Sequence, residues 1–189
     1  MIEKTLIIVK HDGVLRGLVG EIIRRFENTG LKIVGMKMVL ANENVAREHY
    51  ISNEEWANGV FNKAKLAYES KGKTLNFKTA KEYGDHIQKM NQDYLKEGPV
   101  VAIVFEGIHA VELGRKLSGN TEPRQALPGT IRGDYMLDSY SVANAKERSV
   151  RNLIHSSGTV DEADREISLW FNKDEIYNYS KELDKHHYL

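Results

Sequence analysis

Two apolar runs constrain the fold of this chain more than any other feature of its sequence. Residues 5–9 read Thr-Leu-Ile-Ile-Val, and residues 99–105 read Pro-Val-Val-Ala-Ile-Val-Phe. Continuous runs of β-branched and aliphatic residues, without polar residues at alternate positions, are typical of strands that are covered on both faces. The sequence therefore predicts two strands in the interior of a sheet.

The segments around these runs complete a recognisable order of elements. Leu18, Ile22, Ile23 and Phe26 lie at helical spacing, and Gly30 ends that helix. The other predicted elements are a strand at 31–40, a short helix at 44–50, a helix at 110–117, a short last strand near 153–154 and a helix at 161–171. The order β-α-β-β-α-β predicts an α+β fold, a ferredoxin-like βαββαβ sandwich with an antiparallel sheet and helices on one face.

Residues 56–97 differ in character from the rest of the chain. They are polar and Lys-rich, and they carry few large apolar residues. Such a segment can form surface helices but cannot supply a core of its own. We therefore expect a single domain over residues 1–189 with a helical insertion at about 56–97, called the first insertion below.

Charge and composition narrow the function classes. Lys plus Arg and Asp plus Glu both number 27, so the formal net charge is zero, and no overall field attracts nucleic acid or an anionic membrane. The chain has no cysteine, which excludes disulfides and thiolate chemistry. The first residues lead into a strand without a signal peptide, and no apolar run approaches the ~20 residues of a membrane helix. We expect a cytoplasmic protein.

The residues with the clearest chemistry are His155 and Glu166. A neutral imidazole is a good phosphate acceptor near pH 7, because its unperturbed pKa is about 6.5. A carboxylate that is hydrogen-bonded to the other ring nitrogen fixes the tautomer and stabilises the positive charge that develops on the ring. Phosphoryl transfer also needs charge stabilisation and alignment, which cationic side chains can supply. No Gly-x4-Gly-Lys-Ser/Thr loop occurs in the sequence, which excludes a P-loop kinase.

Several segments resemble the nucleoside diphosphate kinase family, and they occur in that family's order. The most specific of them is Pro-Gly-Thr-Ile-Arg-Gly-Asp at residues 128–134. The others are Thr-Leu-Ile-Ile-Val-Lys-His-Asp-Gly-Val at 5–14, Arg-Gly-Leu-Val-Gly-Glu-Ile at 16–22, Gly-Pro-Val-Val at 98–101, Gly-Arg-Lys-Leu at 114–117, Thr-Glu-Pro at 121–123, Arg-Asn-Leu-Ile-His at 151–155 and residues 166–171.

This resemblance implies an activity, a metal and an assembly. The activity is transfer of the γ-phosphoryl group from a nucleoside triphosphate, usually ATP, to a nucleoside diphosphate, which maintains nucleoside triphosphate pools. The mechanism is ping-pong through a phosphohistidine on His155. Mg²⁺ is carried by the nucleotide phosphates, and the protein supplies no metal ligand. The assembly is a homo-oligomer, most often a hexamer, with tetramers and dimers known in the family.

The resemblance also assigns roles by position. Glu166 orients His155, and Ser157 supports both of them. Tyr50 lies near the nucleophile, although a core aromatic residue beside His49 is an equally good interpretation. The phosphate and sugar contacts fall to Lys10, Arg115, Thr121, Arg132 and Asn152. Phe61 is the candidate for stacking on the base, a form of recognition that tolerates many bases because every base has a π-face.

The sequence departs from the family pattern at four places. His11 stands where proline is usual, and Ser156-Ser157-Gly158 replaces the usual Gly-Ser-Asp. The first insertion follows Tyr50, and a second insertion lies at about residues 139–149. The first insertion falls at the helical hairpin that covers the nucleotide in this family. It therefore either lengthens that hairpin on the base side or only decorates the surface or a subunit interface.

Two other functions remain open on the sequence alone. A catalytically weak nucleotide-binding regulator is suggested by the changes around Ser156 and Gly158, whereas the retained site residues argue against it. A nucleic-acid-binding role is weakened by the zero net charge, although Lys71, Lys73 and Lys78 could form a local basic patch. We expect the remaining histidines to be structural or surface residues.

Overall fold

The fold is built on one four-stranded antiparallel sheet. The computed structural model describes residues 2–70, 72–182 and 184–187, so Lys71 of the suggested basic patch lies outside the described residues. The strands are β1 (Ile2–Val9), β2 (Lys32–Val39), β3 (Val100–Ile108) and β4 (Ile154–Ser156), in the order β2-β3-β1-β4. The two apolar runs form β1 and β3, which pair along their whole length in the middle of the sheet. The predicted ferredoxin-like α+β architecture is confirmed.

Ten α-helices occur in the described part of the chain. They are α1 (His11–Leu15), α2 (Val19–Glu27), α3 (Glu43–His49), α4 (Glu54–Glu69), α5 (Ala80–Lys96), α6 (Ala110–Ser118), α7 (Ile131–Tyr135), α8 (Tyr140–Ala145), α9 (Val160–Trp170) and α10 (Asp184–His187). Side chains of Asn42, Asn53, Thr79 and Thr159 accept hydrogen bonds from the first-turn backbone of α3, α4, α5 and α9, which fixes where these helices begin.

The segment directly after β1 is helical. Helix α1 begins directly after Lys10 and passes close to β1 and to the loop before β4. A side chain at Gly13 would lie 2.8 Å from Val9 Cγ1 and 3.5 Å from the Leu153 carbonyl oxygen. Glycine at this position therefore allows α1 to approach the loop that precedes His155.

Helices cover both faces of the sheet. On one face Ile7, Ile103 and Phe105 pack with Ile22 and Phe26 of α2, and the Phe26 and Phe105 rings stack at 4.8 Å. On the other face the alternate strand residues pack against side chains of α3, α5 and α9, among them Ala46, Leu95 and Trp170. The expectation of helices on one face alone was wrong. The continuous apolar runs supply two apolar faces, and both must be removed from water.

The first insertion is a pair of packed helices, α4 and α5. The Phe61 and Tyr83 ring centroids lie 6.0 Å apart, and a side chain at Gly84 would lie 2.8 Å from Ala57 Cβ. The end of α5 belongs to the body of the domain, because Leu95 is fully buried and Tyr94 is nearly so. None of the helices in the described ranges is both long enough and apolar enough to cross a membrane.

The chain after α9 returns to β2. A bulge at Val34 interrupts the β2–β3 register, and the Val34 carbonyl accepts a hydrogen bond from Tyr177 N at 2.7 Å. Strand β2 is an edge of the sheet, and beyond the bulge it exposes Met36 and Met38.

Candidate active site

His155 and Glu166 meet where β4 and α9 pack against β1. His155 pairs with Ile8 of β1, and its Nε2 lies 2.8 Å from Glu166 Oε2. The same carboxylate oxygen accepts a hydrogen bond from Ser157 Oγ at 2.7 Å. Because Oε2 accepts from Ser157, we assign the imidazole hydrogen to Nε2 of His155. Its Nδ1 then has a free lone pair, with no hydrogen bond from any residue in the described ranges.

Burial and nearby cations keep His155 neutral. The side chain is 14% exposed, and burial lowers its pKa below the usual value, followed by the charges of Lys10, Arg132 and Arg115, while Glu162 opposes them. Glu166 is fully buried, and burial raises the pKa of its carboxyl group against the opposing effects of His49 and Ser157. A neutral imidazole at pH 7 is the form that can attack phosphorus.

The turn before His155 is strained and tightly held. Leu153 has a φ of 64°, and Ile154 N donates to Asn152 O at 2.7 Å, which makes a γ-turn, a rare conformation for a non-glycine residue. Arg132 donates to the carbonyl oxygens of Asn152 (3.1 Å), Ile154 (2.7 Å) and Gly119 (2.7 Å). Its guanidinium therefore fixes the backbone on both sides of Leu153.

Lys10 and Asn152 form a second polar pair at the site. Lys10 Nζ donates to Asn152 Oδ1 at 2.9 Å, and Asn152 Nδ2 donates to Thr121 O at 3.2 Å. The Lys10 side chain is held under Tyr94, with Nζ 4.6 Å from the ring centroid. Burial, followed by the charge of Arg132, lowers the pKa of Lys10 to about 7.

The predicted cations converge on one region. Arg132 is 4% exposed, and burial followed by the charge of Arg115 lowers its pKa to about 10. Arg115 is exposed at the end of α6, where its charge also acts on His155. Clustered cations that repel one another hold a site ready for an anion.

Tyr50 lies with this group, but Phe61 does not. Lys10 Nζ is 5.9 Å from the Tyr50 ring centroid, and burial raises the pKa of Tyr50, so it remains a phenol at neutral pH. The Phe61 ring instead packs against Tyr83 inside the helix pair. A different face of α4 borders open space, a cavity of about 400 Å³ lined by Asn53, Glu55, Trp56, Gly59, Val60 and Lys63.

One aromatic residue of this region, His49, was not among the predicted site residues. The His49 ring lies 4.3 Å from the His155 ring, and its Nδ1 is 3.6 Å from Glu166 Oε1 and accepts a hydrogen bond from Trp170 Nε1 at 3.3 Å. Its position directly before Tyr50 was the available signal. Trp56 borders the cavity on the open face of α4, together with Gly59 and Val60 at helical i, i+3, i+4 spacing.

The departures from the family pattern do not displace these residues. His11 packs against Gly98, where no side chain would fit. Ser156 Oγ is buried beneath Gly114 of α6, on the opposite side of β4 from His155, and has no hydrogen-bond partner among the described residues. Gly158 N donates to Glu162 Oε2 at 2.8 Å.

Comparisons with known proteins agree with this geometry. The sequence profile described as nucleoside diphosphate kinase matches residues 3–176. A nucleoside diphosphate kinase of Pyrobaculum aerophilum is 46% identical over 179 residues, which span 93% of this chain and 98% of the relative.

Two solved structures extend the similarity to the fold. The crystal structure of an NDP kinase from Pyrobaculum aerophilum superposes with a TM-score of 0.89 at 43% identity, over 94% of this chain and all of that one. A nucleoside-diphosphate kinase from Borrelia burgdorferi, in a transition-state mimic with bound vanadate and ADP, gives a TM-score of 0.81 at 37% identity, over 99% of this chain and 97% of that one.

Proposed function

The chain belongs to the nucleoside diphosphate kinase family, and we propose that it performs the family's phosphoryl transfer through His155. It is a phosphotransferase that moves the γ-phosphoryl group of a nucleoside triphosphate to a nucleoside diphosphate. One observation carries the assignment of the nucleophile: Glu166 holds Nε2 of His155 at 2.8 Å, which leaves Nδ1 free beside converging cations.

The proposed reaction has two balanced halves. In the first, the Nδ1 lone pair of His155 bonds to the γ-phosphorus, the bond to the bridging oxygen breaks, and the nucleoside diphosphate leaves with that electron pair. In the second, a terminal phosphate oxygen of another nucleoside diphosphate attacks phosphorus, and Nδ1 recovers its lone pair. Nε2 keeps its hydrogen throughout, and Glu166 stabilises the positive charge that the ring acquires.

The remaining site residues are proposed to align the phosphates. Arg115 and the two guanidinium hydrogens that Arg132 does not give to carbonyls would bind phosphate oxygens, and Lys10 would act as a point charge. Thr121 would add a neutral donor, and Asn152 would contact the sugar. Ser157 supports Glu166, and Tyr50 lines the site beside Lys10. These roles follow the resemblance and the geometry above.

Mg²⁺ is proposed to arrive with the nucleotide. The group of described residues that could hold a metal ion is His49, His155 and Glu166. Two imidazoles and one carboxylate do not fit Mg²⁺, which prefers six oxygen ligands and keeps several waters. When it is bound with the nucleotide, Mg²⁺ would neutralise part of the phosphate charge.

The base is proposed to stack on Trp56 in place of Phe61. The Phe61 ring already contacts Tyr83, whereas Trp56 borders the cavity on the open face of α4 and lies six residues after Tyr50. Trp56→Ala should raise the KM for nucleotides about tenfold, since stacking contributes about 1–3 kcal/mol per base. Phe61→Ala is the matched variant and should leave this KM unchanged. The reverse result would return the role to Phe61.

The homo-oligomer is proposed to form through the open edge of β2. Met36, Met38 and Leu40 alternate along one side of this strand and are more than half exposed. Monomers avoid long apolar edge strands because these pair readily with another chain, so a second copy is the expected partner. The subunit number, the cytoplasmic location and the description of the chain as one domain with two insertions remain predictions.

The activity is tested by labelling and transfer. Incubation with γ-labelled Mg·ATP should label the protein in an acid-labile, base-stable form, and the label should move to added CDP or GDP. His155→Ala should abolish labelling, and His86→Ala, an exposed histidine of α5, should not. A protein that binds nucleotide without being labelled would support the regulator hypothesis instead.

A further inference from the structure

Tyr94, in the last turn of α5, lies beside two cations. Its ring centroid is 4.6 Å from Lys10 Nζ and 4.4 Å from the guanidinium carbon of Arg151. The residue is 1% exposed, and its neighbour Leu95 is fully buried in the core. The ring is therefore fixed by packing against the body of the domain, and Lys10 is held beside it.

The hydroxyl group of Tyr94 fixes the ring relative to the residues before β4. Its oxygen accepts a hydrogen bond from Asn152 N at 3.2 Å, and Asn152 Oδ1 accepts one from Lys10 Nζ at 2.9 Å. Burial, followed by the charge of Asp12, raises the pKa of Tyr94, so the phenol keeps its hydrogen at neutral pH. The phenol, the amide and the ammonium group therefore form one connected unit.

The groups around Lys10 leave its charge without a direct counterion. The charged and titratable groups near its ammonium group are Arg132 of α7, Arg151 before β4, Asp12 of α1, the imidazoles of His49 and His155, and the phenols of Tyr50 and Tyr94. The two arginines disfavour the charged form of Lys10, and Asp12 opposes them. Burial lowers the pKa of both imidazoles, so they are neutral. The hydrogen-bond partner of Lys10 Nζ is the uncharged amide of Asn152, and no carboxylate in the described part of the chain forms an ion pair with it.

An aromatic ring stabilises such a cation in a way that a carboxylate cannot. The quadrupole of the ring attracts the ammonium group, while the ring carries no net charge. An ion pair with a carboxylate would instead cancel the charge that a phosphate group has to meet. Tyr94 is the nearer of two rings, since the Tyr50 centroid lies 5.9 Å from Lys10 Nζ, near the outer limit of about 6 Å for this interaction. Tyr94 therefore stabilises the charged form of Lys10 and leaves that charge available to an anion.

We propose that Tyr94 is a positioning residue of the phosphate site, and that its ring holds Lys10 in place and favours its charged form. The inference rests on the proposed function, which assigns phosphate binding to Lys10. Burial, followed by the charge of Arg132, lowers the pKa of Lys10 to about 7, so the ammonium and amine forms are closely balanced at neutral pH. A contact that stabilises only the ammonium form therefore decides how much of the protein is ready to bind a nucleotide.

The test separates the ring from the hydroxyl group. Tyr94→Phe keeps the ring and is the reference, and Tyr94→Leu removes the ring. The pKa of Lys10 is measured by NMR in protein with ¹³C-labelled lysine, where the Lys10 signal is the one absent from Lys10→Arg. Tyr94→Leu should lower this pKa by about one unit relative to Tyr94→Phe.

Nucleotide binding should follow the same titration. The Kd of Mg·ADP should be about tenfold higher in Tyr94→Leu than in Tyr94→Phe at pH 8, and the two values should agree within about twofold at pH 5.5, where Lys10 is charged in both proteins. A residue that only supports the fold would weaken binding equally at both pH values, and that result would overturn the proposal.

Two further proteins control for damage to the fold. Tyr83→Leu removes another buried tyrosine of α5, which packs against Phe61, and should leave the pKa of Lys10 unchanged. A trifluorinated phenylalanine at position 94 keeps the size of the ring and weakens its attraction for a cation, so it should lower the pKa of Lys10 relative to Tyr94→Phe even if Tyr94→Leu does not fold.

Equal pKa values of Lys10 in the Tyr94→Phe protein and the fluorinated protein, or a lowered value in Tyr83→Leu, would overturn the proposal. The NMR titrations need no nucleotide. Failure of the proposed function is therefore distinguishable, because it would be seen as wild-type protein that Mg·ATP does not label, while the effect of Tyr94 on Lys10 could still be measured.

Discussion

At the scale of single residues, the chemistry of the site depends on which nitrogen of His155 carries the hydrogen and on which neighbouring side chains are charged. Glu166 and Ser157 hold the hydrogen of His155 on Nε2, and burial with the neighbouring cations keeps the ring neutral. His49 lies beside these residues, and Trp170 Nε1 donates a hydrogen bond to His49 Nδ1. Burial lowers the pKa of His49 well below its usual value, so it adds no competing charge beside the nucleophile.

The lowered pKa of Lys10 predicts a pH dependence of nucleotide binding. Its pKa is about 7 in the folded protein, so the free protein loses this cation as the pH rises through 7. The nucleotide favours the charged form, and binding above pH 7 must therefore include uptake of a proton. Between pH 7.5 and 9.5 the KM for Mg·ATP should rise by up to about tenfold per pH unit.

Lys10→Arg provides the matched control for this titration. Arginine stays charged throughout the range, so the KM of a folded Lys10→Arg protein should be nearly flat with pH. The same slope in both proteins would assign the titration to another group.

At the scale of elements, Arg132 joins three segments of chain, whereas the Arg115 side chain makes no hydrogen bond or ion pair with any residue that the structure describes. Arg132 links α7 to the turn at Leu153 and to Gly119 through three carbonyl oxygens, whereas Arg115 is exposed at the end of α6. Both lie near the proposed phosphate site. Two residues with one proposed role in binding therefore have different roles in the fold.

Substitution by alanine should separate these roles. Arg132→Ala leaves buried carbonyl groups unpaired, at about 1–3 kcal/mol for each group left unsatisfied, and should lower both the melting temperature and kcat/KM. Arg115→Ala should lower kcat/KM by a similar factor and change the free energy of unfolding by less than about 0.5 kcal/mol. Equal loss of thermal stability in the two variants would contradict the structural role of Arg132.

The helix pair of the first insertion has two ends. One end contains the start of α4 and the end of α5, and the other contains the connection between the two helices. Helix α4 has 16 residues, a length of about 24 Å, and Trp56 lies in its first turn. Tyr94, near the end of α5, covers Lys10. We therefore propose that any base-side role of the first insertion is confined to the end near Tyr50.

Shortening the far end tests this division. Replacement of residues 66–79 by a short Gly/Ser linker removes the tip and keeps Trp56 and Tyr94. The KM for several nucleotides should stay at the wild-type value, and His155 should still be labelled. A changed base preference would show that the tip reaches the nucleotide, and a changed subunit mass alone would show that it lies in an interface.

At the scale of the whole molecule, much of the fold could be predicted from local patterns. The runs at residues 5–9 and 99–105 gave β1 and β3 because continuous apolar strands have few alternatives. The His155–Glu166 pair was proposed from residue type and from the family resemblance. What could not be predicted depends on contacts between distant segments: Trp170 against His49, Tyr94 over Lys10, and Ser149 with Asn91, which are 58 residues apart.

The prediction about assembly concerns the exposed edge of β2. Met38→Lys places a charge on the apolar strip and should shift the protein to smaller species, measured by sedimentation velocity, because exposed lysines discourage edge-to-edge pairing. Lys73→Glu, a charge change in the first insertion, is the control and should leave the mass unchanged. An unchanged mass in Met38→Lys would exclude this edge as the interface.

The central claim is that His155 carries the phosphoryl group on Nδ1 because Glu166 occupies Nε2. Protein labelled with ¹⁵N in its histidine rings and incubated with Mg·ATP in the absence of acceptor allows the bonded nitrogen to be identified by ³¹P–¹⁵N NMR at alkaline pH. The account predicts one phosphohistidine, at residue 155, with phosphorus coupled to Nδ1, and loss of its signal when a nucleoside diphosphate is added. Coupling to Nε2, phosphorylation of another histidine, or a signal that persists after the diphosphate is added would contradict it.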